Sequence, residues 1–172
     1  MSVELERKFL LKSLPNVDGW EFKKVHHYYD EKGIRFTQDT YNNGKSTYRM
    51  CIKQDTGQMV ARFEEETILN KASFLSVVFN QTTKFKTVRK ERYEKTINDI
   101  EVCIDVFKNI NIVMMEIEKV LDDIEYFELC EKGYDLNTVL PFPEQFKDYL
   151  IMEVTHFPEF RNPNLAVFEK TK

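Results

Sequence analysis

The stretch Val3-Glu4-Leu5-Glu6-Arg7-Lys8-Phe9 decides how the chain is read. Successive side chains of an extended strand point to opposite faces. Glu4, Glu6 and Lys8 therefore share one face, and Val3, Leu5 and Phe9 share the other. The same two-faced pattern returns further along. Arg49, Cys51 and Lys53 oppose Tyr48, Met50 and Ile52, and Arg62, Glu64 and Glu66 align in a later segment. Glu101, Cys103 and Asp105 oppose Val102, Ile104 and Val106, while Glu116 and Glu118 oppose Met115, Ile117 and Leu121. Segment after segment carries one ionic face of both signs and one apolar face.

Period-two alternation predicts strands at about 2–11, 24–30, 32–39, 46–54, 58–69, 85–95, 99–108 and 112–121. Turn residues separate several of them, at Pro15–Gly19, Glu31–Gly33, Tyr41–Gly44, Asp55–Gly57 and Lys108–Asn111. Between the fifth and sixth strands, Ala72, Leu75, Val78 and Phe79 fall at helical spacing, so 70–81 reads as an amphipathic crossover helix. Beyond Asp122 helices are expected near 122–133 and 143–150, followed by an irregular tail.

Composition bounds what such a chain does. Its 172 residues are 42% hydrophobic and 31% charged, enough to build one core and too apolar for a disordered tail. A single domain over 1–172 is expected, without repeats or linkers. Twenty-five Lys and Arg against 29 Asp and Glu give a net charge of −4, which argues against a globally basic nucleic-acid binder. Cys51, Cys103 and Cys130 make neither a zinc spacing nor a disulfide framework. No apolar run is long enough to span a bilayer, and Met1-Ser2-Val3-Glu4 is not a signal-peptide start, so a cytoplasmic setting with no membrane partner is expected.

Alternation alone leaves two architectures open. One is an open antiparallel sheet with its ionic face in water. The other is a closed barrel of about eight strands with its ionic faces turned inward. A barrel of the second kind needs water or a ligand of mixed charge demand in its lumen, because unpaired buried charges cost several kcal/mol each.

The order of the charged motifs adds a family resemblance. After the E-x-E-x-K start come Gly33-Ile34-Arg35-Phe36, Cys51-Ile52-Lys53, Arg62-Phe63-Glu64-Glu65-Glu66, Lys90-Glu91-Arg92-Tyr93, Val102–Asp105 and Met115-Glu116-Ile117-Glu118. The chain then ends with Glu153-Val154-Thr155 and Phe160-Arg161-Asn162-Pro163-Asn164-Leu165-Ala166. This ordered set, spread over nearly the whole chain, resembles the CYTH family, also called triphosphate tunnel metalloenzymes.

The resemblance implies an α+β, mainly β fold: a closed eight-stranded antiparallel tunnel with a charged lumen, helices packed outside and a C-terminal helical segment. It implies a small triphosphate substrate bound with Mg²⁺ or Mn²⁺, and a metal-dependent triphosphatase acting on inorganic tripolyphosphate first. RNA 5′-triphosphate or thiamine triphosphate hydrolysis, adenylate cyclisation, and binding without turnover are the alternatives. Glu4, Glu6, Glu116, Glu118 and Asp105 are the expected metal carboxylates, since hard dications take oxygen ligands. Lys8, Arg35, Arg49, Lys53, Arg62, Lys90 and Arg92 are the expected phosphate contacts. Glu64 and Glu66 are supporting acids, equally suited to ion pairing with the basic residues. Glu4, Glu6, Lys90 and Tyr28 are the candidate catalytic groups, Tyr28 because some relatives use a tyrosine near this position. His26, His27 and His156 have no ligand spacing and read as surface or packing residues, Cys103 as a filler, and Arg7 as an outward surface residue. Arg35 shares its face with Gly33 and Thr37, where the family usually has a second arginine, so Arg49 is a candidate to replace a missing contact.

Overall fold

The computed structural model describes residues 2–58, 60–80 and 82–168. Its strands are β1 (Ser2–Leu11), β2 (Glu21–Tyr29), β3 (Arg35–Tyr41), β4 (Ser46–Asp55), β5 (Ala61–Leu69), β6 (Lys86–Ile97), β7 (Ile100–Phe107), β8 (Val113–Asp122), β9 (Leu150–Glu153) and β10 (Val167–Phe168). The helices are α1 (Lys71–Val78), α2 (Asp123–Lys132), α3 (Leu136–Val139) and α4 (Asn162–Leu165), with 3₁₀ turns at Glu144–Tyr149 and Pro158–Phe160. The strand order β6-β2-β3-β4-β5-β1-β8-β7 returns to β6, and neighbouring strands run antiparallel throughout. The sheet is therefore a closed eight-stranded barrel, and the open-sheet alternative falls away. No helix among the described residues is long and apolar enough to cross a membrane.

Local chemistry sets the hairpins. Between β2 and β3, the Asp30 carboxylate accepts from the backbone N–H of Lys32 (2.9 Å) and Ile34 (2.8 Å), while Gly33 takes a positive φ of 80°. An Asx turn of this kind replaces missing ladder bonds at a tight reversal. Asn98 and Asp99 both have positive φ, 51° and 60°, in the two-residue link between β6 and β7. That geometry matches the strand twist, and Asn and Asp tolerate it better than other side-chain-bearing residues.

The main core lies outside the barrel. Val3, Leu5, Phe9, Ile104, Met115 and Ile117 point outward and pack against Tyr126, Leu140 and Phe146 of the C-terminal segment. Asp122 caps α2 reciprocally with Glu125, which fixes where that helix leaves β8. On the far side α1, capped by Asn70, lays Phe74 and Val78 over Tyr28 and Phe36. Helices expected within 70–81 and 122–133 are found as α1 and α2, with residue 81 outside the described residues, but the segment expected to be a helix at 143–150 is a 3₁₀ turn.

The tail expected to be irregular completes the barrel seam. β1 pairs with β5 over Ser2–Leu5 and with β9 over Phe9–Leu11, so the two partners share one edge of β1. Glu153-Val154-Thr155 closes the remaining gap. The Val154 N–H donates to the Lys8 carbonyl (2.8 Å), and the Lys8 N–H donates to Thr155 Oγ1 (3.0 Å). Glu153 receives a two-pronged guanidinium from Arg7 at 2.9 and 2.8 Å, and Arg7 also donates to the Leu140 carbonyl (2.7 Å). Arg7 is therefore buried beneath the C-terminal segment instead of lying at the surface.

The hydrogen bonds from Arg7 hold the Glu153 carboxyl below its ordinary range, against its partial burial. As pH falls, the unfolded chain takes up this proton before the folded one, so the pair's contribution is present at neutral pH and disappears below about pH 4. Glu153→Gln is expected to lower stability at pH 7 by on the order of 2 kcal/mol. Denaturant titrations should show the gap to wild type shrinking between about pH 6 and pH 3. A gap that does not change with pH would mean that the Glu153 charge contributes nothing at the seam.

Candidate functional site

The inward faces enclose a cavity of about 520 Å³. β1 supplies Glu4, Glu6 and Lys8, and β3 supplies Arg35. Arg49 and Lys53 come from β4, and Arg62, Glu64 and Glu66 from β5. β6 adds Arg92, and β8 adds Glu116 and Glu118. Twelve of the residues expected from the sequence thus meet in one lumen, although they span more than a hundred positions. Register explains the convergence: Glu6 lies opposite Glu118 and Lys8 opposite Glu116 across β1 and β8, while Lys53 faces Glu64 across β4 and β5.

Three carboxylates cluster at the heart of the lumen. Glu4, Glu6 and Glu118 each offer an oxygen within 4.8 Å of the other two. Burial alone would raise the Glu4 carboxyl, but Lys53, a hydrogen bond from Glu118 and Arg35 hold it below its ordinary range. Glu118 goes the other way: burial, then the hydrogen bond to Glu4 and the Glu4 charge, push it well above. The two carboxyls are shifted in opposite directions, the usual outcome for two buried like charges in contact. The all-oxygen donor set fits Mg²⁺ or Mn²⁺ and does not fit a softer metal.

Glu116 and Asp105, also expected among the metal carboxylates, are engaged elsewhere. Glu116 accepts from Lys8 (3.1 Å) and from Arg92 (2.9 Å), and those cations with Lys90 hold it well below its usual range despite burial. Asp105 is fully buried in the wall, with Lys90 at 2.6 Å and the Arg92 fork at 2.7 Å on both oxygens. Every oxygen of Asp105 is occupied by a cation, so it anchors basic residues and is not placed to bind a metal. Lys90 is buried with it and does not line the cavity. Burial, with Arg92 nearby, lowers its pKa despite Asp105.

The remaining cations are paired across the lumen. Lys8 sits between Glu116 and Glu6 (3.3 Å), Lys53 contacts Glu4, and Arg62 lies 3.8 Å from Glu6. Arg35 reaches Glu64 at 3.4 Å, and Arg49 pairs with Asp39 at 2.9 Å and approaches Glu66 at 3.7 Å. Glu64 and Glu66 thus serve as ion-pair partners. The pairs hold long basic side chains over the cavity, pre-arranged for an anion that can replace their carboxylates.

β2 departs from the expectation. Tyr28 faces outward, packed under α1 with Phe74, its hydroxyl on His26 Nδ1 at 2.8 Å. Lys23, His27 and Tyr29 take the lumen face instead. Both faces of this strand are buried, one under α1 and one in the lumen, so its aromatic run gave no polarity by which to choose. His27 is a tunnel residue hydrogen-bonded to Thr37 Oγ1 (2.8 Å). Burial, with Lys90 and the nearby arginines, keeps it neutral. Lys23 lies before the predicted strand start, and pairs with Glu94 at 2.6 Å and Asp39 at 3.3 Å. Cys51 and Cys103 also face the lumen side. Burial pushes the Cys51 thiol up to about 12, and it donates to Glu64; Cys103 is likewise raised by burial.

No family model matches the chain, and neither does any curated protein. Among solved structures it is similar to a conserved hypothetical protein from Pyrococcus furiosus, at TM-score 0.54 and 19% identity, covering 83% of this chain and 93% of that one. The PH1819 protein from Pyrococcus horikoshii OT3 gives 0.53 and 17%, covering 79% and 87%. PH1012 from the same organism gives 0.52 and 15%, covering 83% and 93%. At these identities the likeness concerns the fold: the barrel is a shared architecture.

Proposed function

We propose that this protein is a metal-dependent triphosphatase of the CYTH, or triphosphate tunnel, type, with inorganic tripolyphosphate as its leading substrate. One observation carries the reading: a three-carboxylate cluster and at least six cations face one another inside the same enclosed cavity. Binding an anion alone calls for cations, and binding a metal alone calls for carboxylates. A metal–polyphosphate complex calls for both at once. The ordered motifs that resemble the family support the same conclusion.

In this reading Glu4, Glu6 and Glu118 hold the metal, whose contribution is to neutralise phosphate charge and polarise the phosphoryl group. Lys8, Arg35, Lys53, Arg62 and Arg92 bind the phosphate chain, each exchanging a carboxylate for a phosphate oxygen. Arg49 helps from the cavity edge. Asp105 and Glu116 hold Lys8, Lys90 and Arg92 in place. A carboxylate of the trio orients water for in-line attack on the terminal phosphoryl, and acceleration comes from positioning and charge stabilisation.

Purified protein is expected to release phosphate from tripolyphosphate with Mg²⁺ or Mn²⁺ and to release none in excess chelator. ATP, thiamine triphosphate and 5′-triphosphate RNA run in parallel rank the substrates. Cyclic AMP from ATP would replace the hydrolase with a cyclase, and no product from any of them would overturn the enzyme.

A further inference from the structure

At the end of the lumen reached by the C-terminal segment, four polar groups lack partners. The Tyr29 hydroxyl, Arg35 Nε, Arg161 Nε and the Asn162 side-chain oxygen are buried atoms without a hydrogen bond, and all four residues line the cavity. Tyr29 is 5% exposed and Asn162 is 8% exposed. Buried polar groups are normally satisfied, because leaving one unmade costs more than a typical hydrogen bond returns.

The charge pattern there differs from the rest of the tunnel. Lys8, Lys23, Arg35, Arg49, Lys53, Arg62 and Arg92 each have a carboxylate within 4.0 Å. Among the described residues Arg161 lines the cavity with no such partner. The Tyr29 ring shares a packed cluster with Ala166, Phe160 and Leu165 of the same C-terminal segment. An unneutralised guanidinium, an idle hydroxyl donor and a spare amide oxygen thus line one cavity, and Tyr29 shares a packed cluster with the segment that carries the other two.

We propose that Tyr29, Arg161 and Asn162 form an end subsite for a terminal phosphoryl group. Arg161 and the Tyr29 hydroxyl donate to its oxygens, and the Asn162 oxygen accepts from a protonated P–OH. This rests on the triphosphate reading above and adds to it a place for one end of the chain. It also makes the C-terminal segment part of the binding site, because Arg161 and Asn162 belong to that segment and Tyr29 is packed against it.

The test is calorimetric titration of full-length protein with tripolyphosphate and, separately, orthophosphate, in chelator so that nothing turns over. Tyr29→Phe and Arg161→Ala are each expected to weaken tripolyphosphate binding by roughly 10- to 100-fold, the span of a hydrogen bond to a charged group. Their melting temperatures without ligand should hold or rise, since each removes a group that has no partner in the folded protein. Arg161→Lys should recover part of the affinity. A purely structural role predicts the reverse: a lower melting temperature with unchanged affinity per folded molecule. Wild-type affinity in both variants for both ligands overturns the subsite. If the wild-type protein binds tripolyphosphate but never hydrolyses it with metal, the enzymatic reading fails and the affinity ratios still decide the subsite. If wild type binds neither anion, in chelator or with Mg²⁺ or Mn²⁺ added, both are overturned.

Discussion

Glu118→Gln is expected to abolish metal-dependent phosphate release, by at least about 10²- to 10³-fold, without unfolding the protein. The two halves of this expectation come from one arrangement. The Glu118 carboxyl is pushed well above its ordinary value by burial, by its hydrogen bond to Glu4 and by the Glu4 charge, so of the two it is the one suited to act as donor. A glutamine amide reproduces that donor and shape while removing the oxygen that can ionise for a dication. The metal-free fold should hardly register the change, whereas the three-oxygen cluster becomes two. Phosphate release with and without chelator, alongside melting curves in chelator, separates the two effects. Unchanged release would take Glu118 out of the metal set. A large drop in melting temperature would show that its charge supports the fold instead.

Asp105→Ala is expected to cost about 3–5 kcal/mol of stability, because it strands buried cations without their counter-charge. Asp105 has no solvent exposure, and the side chain of Lys90 beside it has none either. Arg92 would also lose both prongs of its fork and keep Glu116, with Glu118 more distant at 3.9 Å. In a domain of this size such a loss lowers the melting temperature by roughly 10 °C. Removing both charges is a different matter. Lys90→Met with Asp105→Leu exchanges an ion pair for apolar volume, which is often neutral or stabilising, so the double variant should recover most of the lost stability. Chemical denaturation of the single and double variants measures the coupling. A stable Asp105→Ala protein would mean that water or another carboxylate reaches Lys90.

The barrel was legible because its signal is local. Period-two alternation marked eight strands, and the interleaving of Glu, Lys and Arg marked which face was special. Closure was not local: β6 pairs with β7 to shut the cylinder, and alternation looks the same in an open sheet. Glu116 and Glu118 have the same spacing signal, yet Lys8 and Arg92 claim one and leave the other beside Glu4. Arg7 has the spacing of a surface residue, and it is buried only because residues 140 and 153 come back over it. Tyr29 and Arg161 were missed for a related reason. Their importance lies in partners they lack, and a lack of partners has no signature in spacing.

The shared edge of β1 has a consequence for how the chain is made. β1 is flanked by β8 on one side and by β5 and then β9 on the other, so its partners all follow it in the chain. Its second edge cannot close until residue 153 is available, long after β1 itself has left the ribosome. Until then a nascent chain leaves the Phe9–Leu11 stretch of that edge open, although β5 and β8 already hold the rest of the strand. Exposed strands of that kind are the usual starting point for misassociation. The hazard falls on translation and refolding, where a holding chaperone or a slow release of denaturant protects the yield, and it ends once the Arg7–Glu153 clasp is made.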